Sequence, residues 1–312
     1  MMKLLPRFFK LLLLSGLLLC FFKSSQWVHL WRPRKADPTQ TWLEIQTQRK
    51  IILNSACLKL NLTDTVNKLK PRVAIQLYVE HNHRLIFCSI PKVGCSNWLR
   101  ILLILQKNLS SELTKESINR NELLKYIHTT PLLIKLNRYP STLQQELLSN
   151  YTKVMVTRDP FERLVSAYRN KILHGVQSFM KLIKAAFPKS SNNVTFQEFV
   201  NFILQEKLNN NHWRPMYKLC DPCRIHYDII GKIETVNQDA DHILKSIGAP
   251  EDLHYPTFKT FATEPRTNEQ ITAEYFGNLS SKQVEQLLKL YEFDFSLFNY
   301  SSNVKYMNLS VL

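Results

Sequence analysis

A chain of 312 residues has room for one substantial domain and an extension, not for a string of domains. Its formal charge of +16, from 41 basic and 25 acidic residues, favours a polyanionic partner. No nucleic-acid-binding motif accompanies that charge, so nucleic acid is set aside and an acidic ligand or acceptor is left to account for it.

At the N-terminus Lys3, Arg7 and Lys10 precede an almost wholly apolar run, Leu11 to Phe22. The run is shorter than the roughly 20 residues of a full span. Lys10 and Lys23 can snorkel, however, and thin early-secretory membranes accept short anchors. A small-residue cleavage site is lacking after the run, which argues against a removed signal peptide. Residues 1–10 therefore read as a cytosolic tail, 11–23 as a type II signal-anchor, 24–70 as a polar lumenal stem, and 71–312 as the main domain. Sequons at Asn61, Asn108, Asn150, Asn193, Asn278, Asn299 and Asn308 fit lumenal exposure.

Arg84 to Ser89 is a short apolar run of strand length, ended by Pro91. The loop Pro91-Lys92-Val93-Gly94-Cys95-Ser96-Asn97 follows, with Ser96 and Asn97 suited to cap a helix over Trp98 to Leu105. Such a strand–loop–helix junction gathers backbone N–H groups and the helix dipole, which together hold phosphate. Gly94 removes a side chain where a phosphate would approach, and Lys92 adds a movable charge. The Gly-x-x-x-x-Gly-Lys-Ser/Thr spacing is absent, so this is not a Walker A loop and an ordinary nucleotide-dependent kinase is disfavoured.

A second junction follows about sixty residues on. Lys153 to Thr157 is strand-like, and Asp159-Pro160-Phe161-Glu162 has the layout of a capping box with proline at the first helical position. In the helix that follows, Phe161, Leu164, Val165 and Tyr168 share an apolar face, while Arg163, Ser166 and Asn170 share another. Arg158 lies just before the cap. An arginine fork with a serine hydroxyl suits a phosphate monoester. Two such junctions imply a ligand with phosphate at both ends.

Further helices are expected over Phe196 to Glu206, Ala240 to Ile247 and Ser281 to Tyr291. Strands alternating with helices predict an α/β layer with a central parallel sheet, its ligand crevice at the carboxyl ends of the strands. Of the six cysteines, Cys20 lies in the anchor and Cys88, in the central strand, reads as a buried thiol. Cys57, Cys95, Cys220 and Cys223 are then the candidates for lumenal disulfides, with three connectivities open. Cys220 and Cys223 could form half a zinc site, but no second half with suitable spacing appears, and no metal is expected.

The two loops closely resemble the nucleotide-binding motifs of Golgi carbohydrate sulfotransferases. The branch is that of the chondroitin and dermatan 4-O-sulfotransferases, the N-acetylgalactosamine 4-sulfotransferases and the enzyme of the sulfated killer-cell epitope. A third block agrees, from His212-Trp213 through Leu219 to Cys223 and Tyr227 to Glu234, then Asp239-Ala240; a fourth runs from Tyr291 to Tyr300. The resemblance implies a P-loop-like sulfotransferase fold in a Golgi membrane. It also implies transfer of a sulfuryl group from 3′-phosphoadenosine 5′-phosphosulfate to the sugar hydroxyl of a glycosaminoglycan or glycoprotein glycan. Residues Pro91 to Asn97 would hold the 5′-phosphosulfate. Arg158 to Ser166, with Arg158 and Ser166 in direct contact, would hold the 3′-phosphate. Intact Lys92, Arg158 and Ser166 disfavour a glycan-binding protein that has lost catalysis. Lys92 would stabilise the leaving oxygen. His128, between the two loops, and His212, beside Trp213, are the candidates for the general base, with His128 preferred from its place in sequence and Glu234 as the fallback.

Overall fold

The computed structural model describes residues 41–63, 69–107, 127–175, 177–186, 194–205, 210–256 and 263–302. Its principal elements, in chain order, are α1 (Trp42–Lys59), β1 (Leu77–Glu80), β2 (Leu85–Cys88), α2 (Cys95–Lys107), β3 (Ile134–Lys135) and α3 (Ser141–Asn150). They continue with β4 (Thr152–Thr157), α4 (Pro160–Tyr168), α5 (Phe196–Leu204), β5 (Ile229–Lys232), α6 (Val236–Ser246) and α7 (Ser281–Leu297). The proposed anchor over 11–23 lies outside the described residues, and none of the described helices is long and apolar enough to cross a membrane.

The apolar runs of β2 and β4 are buried on both faces, as strands at the centre of a parallel sheet must be. The order is β3-β1-β2-β4-β5, with β2, β4 and β5 parallel to one another. The sheet is nevertheless mixed. β1 pairs antiparallel with β2, through the tight turn after Glu80, and antiparallel with β3 on its other side. The Glu80 carboxylate closes that turn by accepting from the Asn82 and His83 N–H groups at 2.9 and 2.8 Å. Parallel neighbours need a crossover. α2 begins the crossover from β2 to β4 and α4 the one from β4 to β5, so both candidate loops leave the carboxyl ends of adjacent strands.

The sheet and the helices against it form one apolar core, and a second core lies where α4 meets α5 and α7, around Phe161, Phe199, Trp213 and Tyr291. The helices expected near 196, 240 and 281 are present as α5, α6 and α7, with α7 running six residues further, to Leu297.

Part of the stretch expected as stem, from Trp42 onward, belongs to the domain. α1 packs along the outer edge of β5, where an edge strand leaves backbone groups unpaired. The Gln46 side chain takes both of them, accepting from Ile230 N–H at 3.0 Å and donating to Ile230 C=O at 3.3 Å. Arg49 pairs with Asp239 at 3.0 Å, and Trp42 donates its indole N–H to the same carboxylate at 3.0 Å. The compact domain therefore begins at Trp42. A stretch with little amphipathic periodicity hides this, because the contacts are polar and side-chain specific.

The disulfides also differ from expectation. Cys88 is not a thiol but is bonded to Cys220, and Cys57 is bonded to Cys223, while Cys95 is the free, buried cysteine among the described residues. The segment from Cys220 to Cys223 is thus stapled to the central strand at one end and to α1 at the other, and neither cysteine is left for zinc. Replacing Cys57 and Cys223 together by alanine is expected to cost about 2–4 kcal/mol, read as a lower denaturation midpoint; an unchanged midpoint would show that the staple adds nothing to the stability of the domain.

Candidate active site

The two loops meet across a cavity of about 900 Å³, which is at the large end for a small-molecule site. Pro91, Lys92, Gly94, Cys95, Ser96 and Asn97 line it from the first loop, Arg158, Glu162 and Ser166 from the second. His128, His212 and Glu234 reach the same space. The remaining residues proposed for ligand binding do not line it. Val93 is fully buried, and Pro160, Phe161, Leu164 and Val165 face the interior, where the apolar stripe of α4 puts them. Asp159 is occupied as the helix cap, accepting from the N–H groups of Phe161 and Glu162 at 2.9 and 3.0 Å. The reciprocal half of the expected capping box is missing, because Glu162 turns to Arg158 at 3.4 Å instead.

Arg163 is buried and does not line the cavity. It is 1 % exposed and donates to three main-chain carbonyls, Pro91 at 2.9 Å, Arg214 at 2.8 Å and Asn211 at 2.8 Å. One guanidinium thus ties the first loop to the segment that carries His212. Arg158 does the same further out, donating to the carbonyls of Lys92, at 3.1 Å, and Thr267.

Gly94 and Lys92 both have left-handed backbone, at φ 86° and 75°. Glycine adopts that region freely and lysine rarely, so Lys92 is held there by its surroundings. The open side of Gly94 does not face the cavity alone. A Cβ there would collide with the Tyr255 hydroxyl, which donates to the Gly94 carbonyl at 3.2 Å. Space attributed to an approaching phosphate is taken up by a tyrosine. The helix starts at Cys95, earlier than expected, so Ser96 and Asn97 sit in its first turn rather than capping it. Asn97 and Trp98 donate back to the Gly94 carbonyl, which leaves the N–H groups of Cys95 and Ser96 at the helix N-terminus.

Some of the cavity's cations are matched by carboxylates and others are not. Arg158 and Arg169 are matched by Glu162 and Glu264, at 3.4 and 3.0 Å. Lys92, Lys135 and Lys171 line the cavity with no ion pair among the described residues. Burial, reinforced by Arg158, Lys171 and Arg163, lowers the Lys92 ammonium to about 7. His212 is lowered to about 3 by burial and by Lys171 and Lys92. His128 is lowered by burial and by Lys171 and Arg100. The site is therefore short of negative charge, and anionic groups entering it would relieve every one of these shifts.

The two histidines are held differently. His128 Nε2 lies 2.9 Å from the Ser96 hydroxyl. His212 Nδ1 lies 2.7 Å from the Asn210 side-chain oxygen, which as an acceptor fixes the proton on Nδ1 and leaves Nε2 with its lone pair. Glu234 is engaged on both oxygens, by Asp159 N–H at 3.3 Å and Tyr300 O–H at 3.1 Å.

Lys171, Arg100, Tyr255 and Lys135 also line the cavity and carry no role in the sequence reading. For Lys171 the signal is subtle. α4 continues as a π-helical turn over Arg169–Leu173, and a wider turn shifts the helical face that simple spacing from Ser166 would extend.

Residues 76–301 match the sulfotransferase family, and the chain belongs to it. Among carbohydrate sulfotransferases, the chain is 38% identical to carbohydrate sulfotransferase 11 of Danio rerio, over 75% of this chain and 69% of that protein. It is 35% identical to carbohydrate sulfotransferase 8 of Mus musculus, over 86% of this chain and 67% of that protein. With carbohydrate sulfotransferase 11 of Rattus norvegicus it shares 32% identity over 92% of this chain and 85% of that protein. No solved structure matches the chain. The protein is thus a sulfotransferase of the carbohydrate-acting kind, with a sulfate donor and a glycan acceptor as its substrates.

Gly94→Ala is expected to weaken donor binding roughly ten-fold or more, because strain at positive φ costs about 1–3 kcal/mol and the new methyl group collides with Tyr255. Adding Tyr255→Ala should remove the collision and leave only the backbone strain. Equal donor affinity in wild type and Gly94→Ala would show that the close approach does not shape the loop.

Proposed function

We propose that the enzyme moves a sulfuryl group from 3′-phosphoadenosine 5′-phosphosulfate to a sugar hydroxyl, the 4-OH of N-acetylgalactosamine in chondroitin, dermatan or a glycoprotein glycan. The observation that carries this reading is the cavity in which Lys92 and the first-turn N–H groups of α2 face Arg158 and Ser166. A donor with anionic groups at both ends fits that layout. Its charge would also answer the three cavity lysines that have no ion pair among the described residues. When bound, the donor supplies a sulfur whose bond to the phosphate oxygen breaks as the acceptor oxygen attacks from the opposite side.

The chain's own residues would act as follows. Lys92 binds where negative charge grows on the leaving oxygen, and its left-handed backbone holds the ammonium there before reaction. Arg158 keeps that backbone in place and, with Ser166, receives the 3′-phosphate. Lys171 supplies a second positive charge in the cavity, felt by Lys92 and by both histidines. His212 is the better candidate for the proton acceptor, a change from the preference for His128 drawn from sequence order. Its tautomer is preset by Asn210, its Nε2 is available, and it lies close enough to Lys92 to feel that charge; the negative charge of the bound donor would raise it from about 3 toward the range of a base. His128 would instead position Ser96 on the donor loop.

A membrane-anchored, lumenal enzyme of the Golgi is the setting we propose. Two disulfides suit an oxidising compartment. The described sequons Asn61, Asn150, Asn278 and Asn299 are all exposed; Asn108, Asn193 and Asn308 lie outside the described residues.

The test is sulfate transfer from labelled donor to a panel of chondroitin, dermatan and terminal-sugar acceptors. Lys92→Ala is expected to lower kcat by on the order of 100-fold or more, and a folded variant with near-normal kcat would sink the role. His212→Ala should reduce kcat at unchanged donor KM, whereas His128→Ala should chiefly raise donor KM; the opposite pattern returns the base to His128.

The Lys92 shift also sets a pH dependence. Only the protonated lysine attracts the anionic donor. With its free pKa near 7, kcat/KM for the donor should be full below pH 7 and fall above it, while kcat, reporting the anion-bound site, stays level to higher pH. Lys92→Arg should flatten the kcat/KM profile, and a profile that rises with pH through this range would contradict the assignment.

A further inference from the structure

Beside the candidate active site lies a second cavity, also of about 900 Å³, formed by the start of the main domain and the segment around Cys220. Its wall carries Lys70, Arg72, Arg214, Lys218 and Arg224, with Asp221 the one carboxylate among the described lining residues. Asp221 is shared by two of them, Lys70 at 3.8 Å and Arg224 at 3.5 Å. Arg72 and Lys218 are exposed and make no ion pair among the described residues. Arg214 is shifted down by burial and then by the charge of Arg72, so these two cations stand close enough to repel. A wall of this kind is unfavourable until something negative lies on it.

The two cavities are divided by one short piece of chain. Asn211 and His212 line the first, while Asn210, Trp213 and Arg214 line the second. At 3.8 Å per residue, Asn211 and Arg214 can be no more than roughly 11 Å apart along that piece. Arg163 fixes its course by holding the carbonyls of both residues. A ligand reacting near His212 and extending past Trp213 would therefore reach the cationic wall within a short run of sugar residues. The half-buried ring of Tyr217 and the adjacent Lys218 on the same wall offer an apolar face beside a charge, which suits a sugar acid.

We infer that this second cavity is an acceptor subsite that binds the continuing chain of an anionic, uronate-containing polysaccharide, so that the enzyme acts within a polymer rather than on an isolated terminal sugar. The inference rests on the glycan-sulfating reading above and narrows its acceptor. A terminal sugar on a neutral glycan has no use for Arg72 and Lys218, which are exposed beyond the reacting centre and make no ion pair among the described residues. Donor phosphates are served by the first cavity.

The experiment compares the enzymatically deglycosylated wild type, in which no glycan at Asn61 can cover the cavity rim, with Arg72→Glu/Lys218→Glu. Both positions are exposed and outside the first cavity, so the variant is expected to fold and to keep its donor KM within about two-fold. Acceptors are unsulfated chondroitin polymer and a simple N-acetylgalactosamine glycoside, too short to pass Trp213. Placing like charges against the polymer should raise its KM roughly ten-fold or more, with the glycoside changed by less than about two-fold. Equal effects on both acceptors, or none on the polymer, would overturn the subsite. Should neither protein sulfate any acceptor, the proposed reaction fails, but equilibrium binding of the polymer still decides the subsite. A loss of about ten-fold in the variant, with wild-type binding weakening between about 50 and 200 mM salt, supports it. Equal binding by the two proteins refutes it.

Discussion

The buried guanidinium of Arg163 is the interaction on which the arrangement of the site depends. Taking a cation out of water costs several kcal/mol unless its donors are met. Here they are met by carbonyls of Pro91, Asn211 and Arg214. All three partners are main-chain atoms, so the clamp sets the course of the backbone without regard to the side chains there. It explains how a lysine can be kept in left-handed conformation at position 92. The loop is fixed by Arg163 behind Pro91, by Arg158 at the Lys92 carbonyl, and by Tyr255 over Gly94. Strain at one residue persists when its neighbours are determined several times over.

Around this frame the chain uses its basic residues in two ways. Arginines do the fastening, with planar donors that reach carbonyls and carboxylates together. Lysines supply charge and are left to change with what binds. Burial depresses the ammonium at Lys92 and also lowers Lys171 and Lys135. Such groups answer strongly to an arriving anion, because one negative charge restores much of what desolvation took away. The fourth sequence block belongs to the same frame rather than to the chemistry. Tyr291 donates to the Trp213 carbonyl. Asp294 accepts from Met216 and Tyr217 N–H at 2.7 and 2.9 Å, and Tyr300 reaches Glu234 and Thr157.

Local signals in the sequence located the two strand–loop–helix junctions, because apolar runs, Pro160 and the small residues after Pro91 act over a few positions. They also put Lys92, Arg158, Ser166 and both histidines on the candidate list, and one cavity collects them. What could not be read locally was which polar residues turn inward. Arg163 and Ser166 lie three apart on α4, yet one is a buried clamp and the other faces the cavity. The difference comes from carbonyls more than forty residues away. The disulfide pairs were hidden for the same reason: a cysteine in a buried central strand resembles a thiol until the 220–223 segment is packed against it. α1 was missed because Gln46 and Arg49 recognise the β5 edge through hydrogen bonds, which leave no apolar period to detect.

The staple between Cys57 and Cys223 has a practical meaning for anyone handling this chain. A soluble fragment cut at the start of β1, or anywhere after Lys59, would leave Cys223 without its partner and β5 with a bare edge, two invitations to mispaired disulfides and strand-to-strand aggregation. A fragment that begins ahead of Trp42 keeps both covered. The same bond makes a nick between Lys59 and Pro71 silent under oxidising conditions. The severed helix would stay attached and would come away from the enzyme only when a reductant is added.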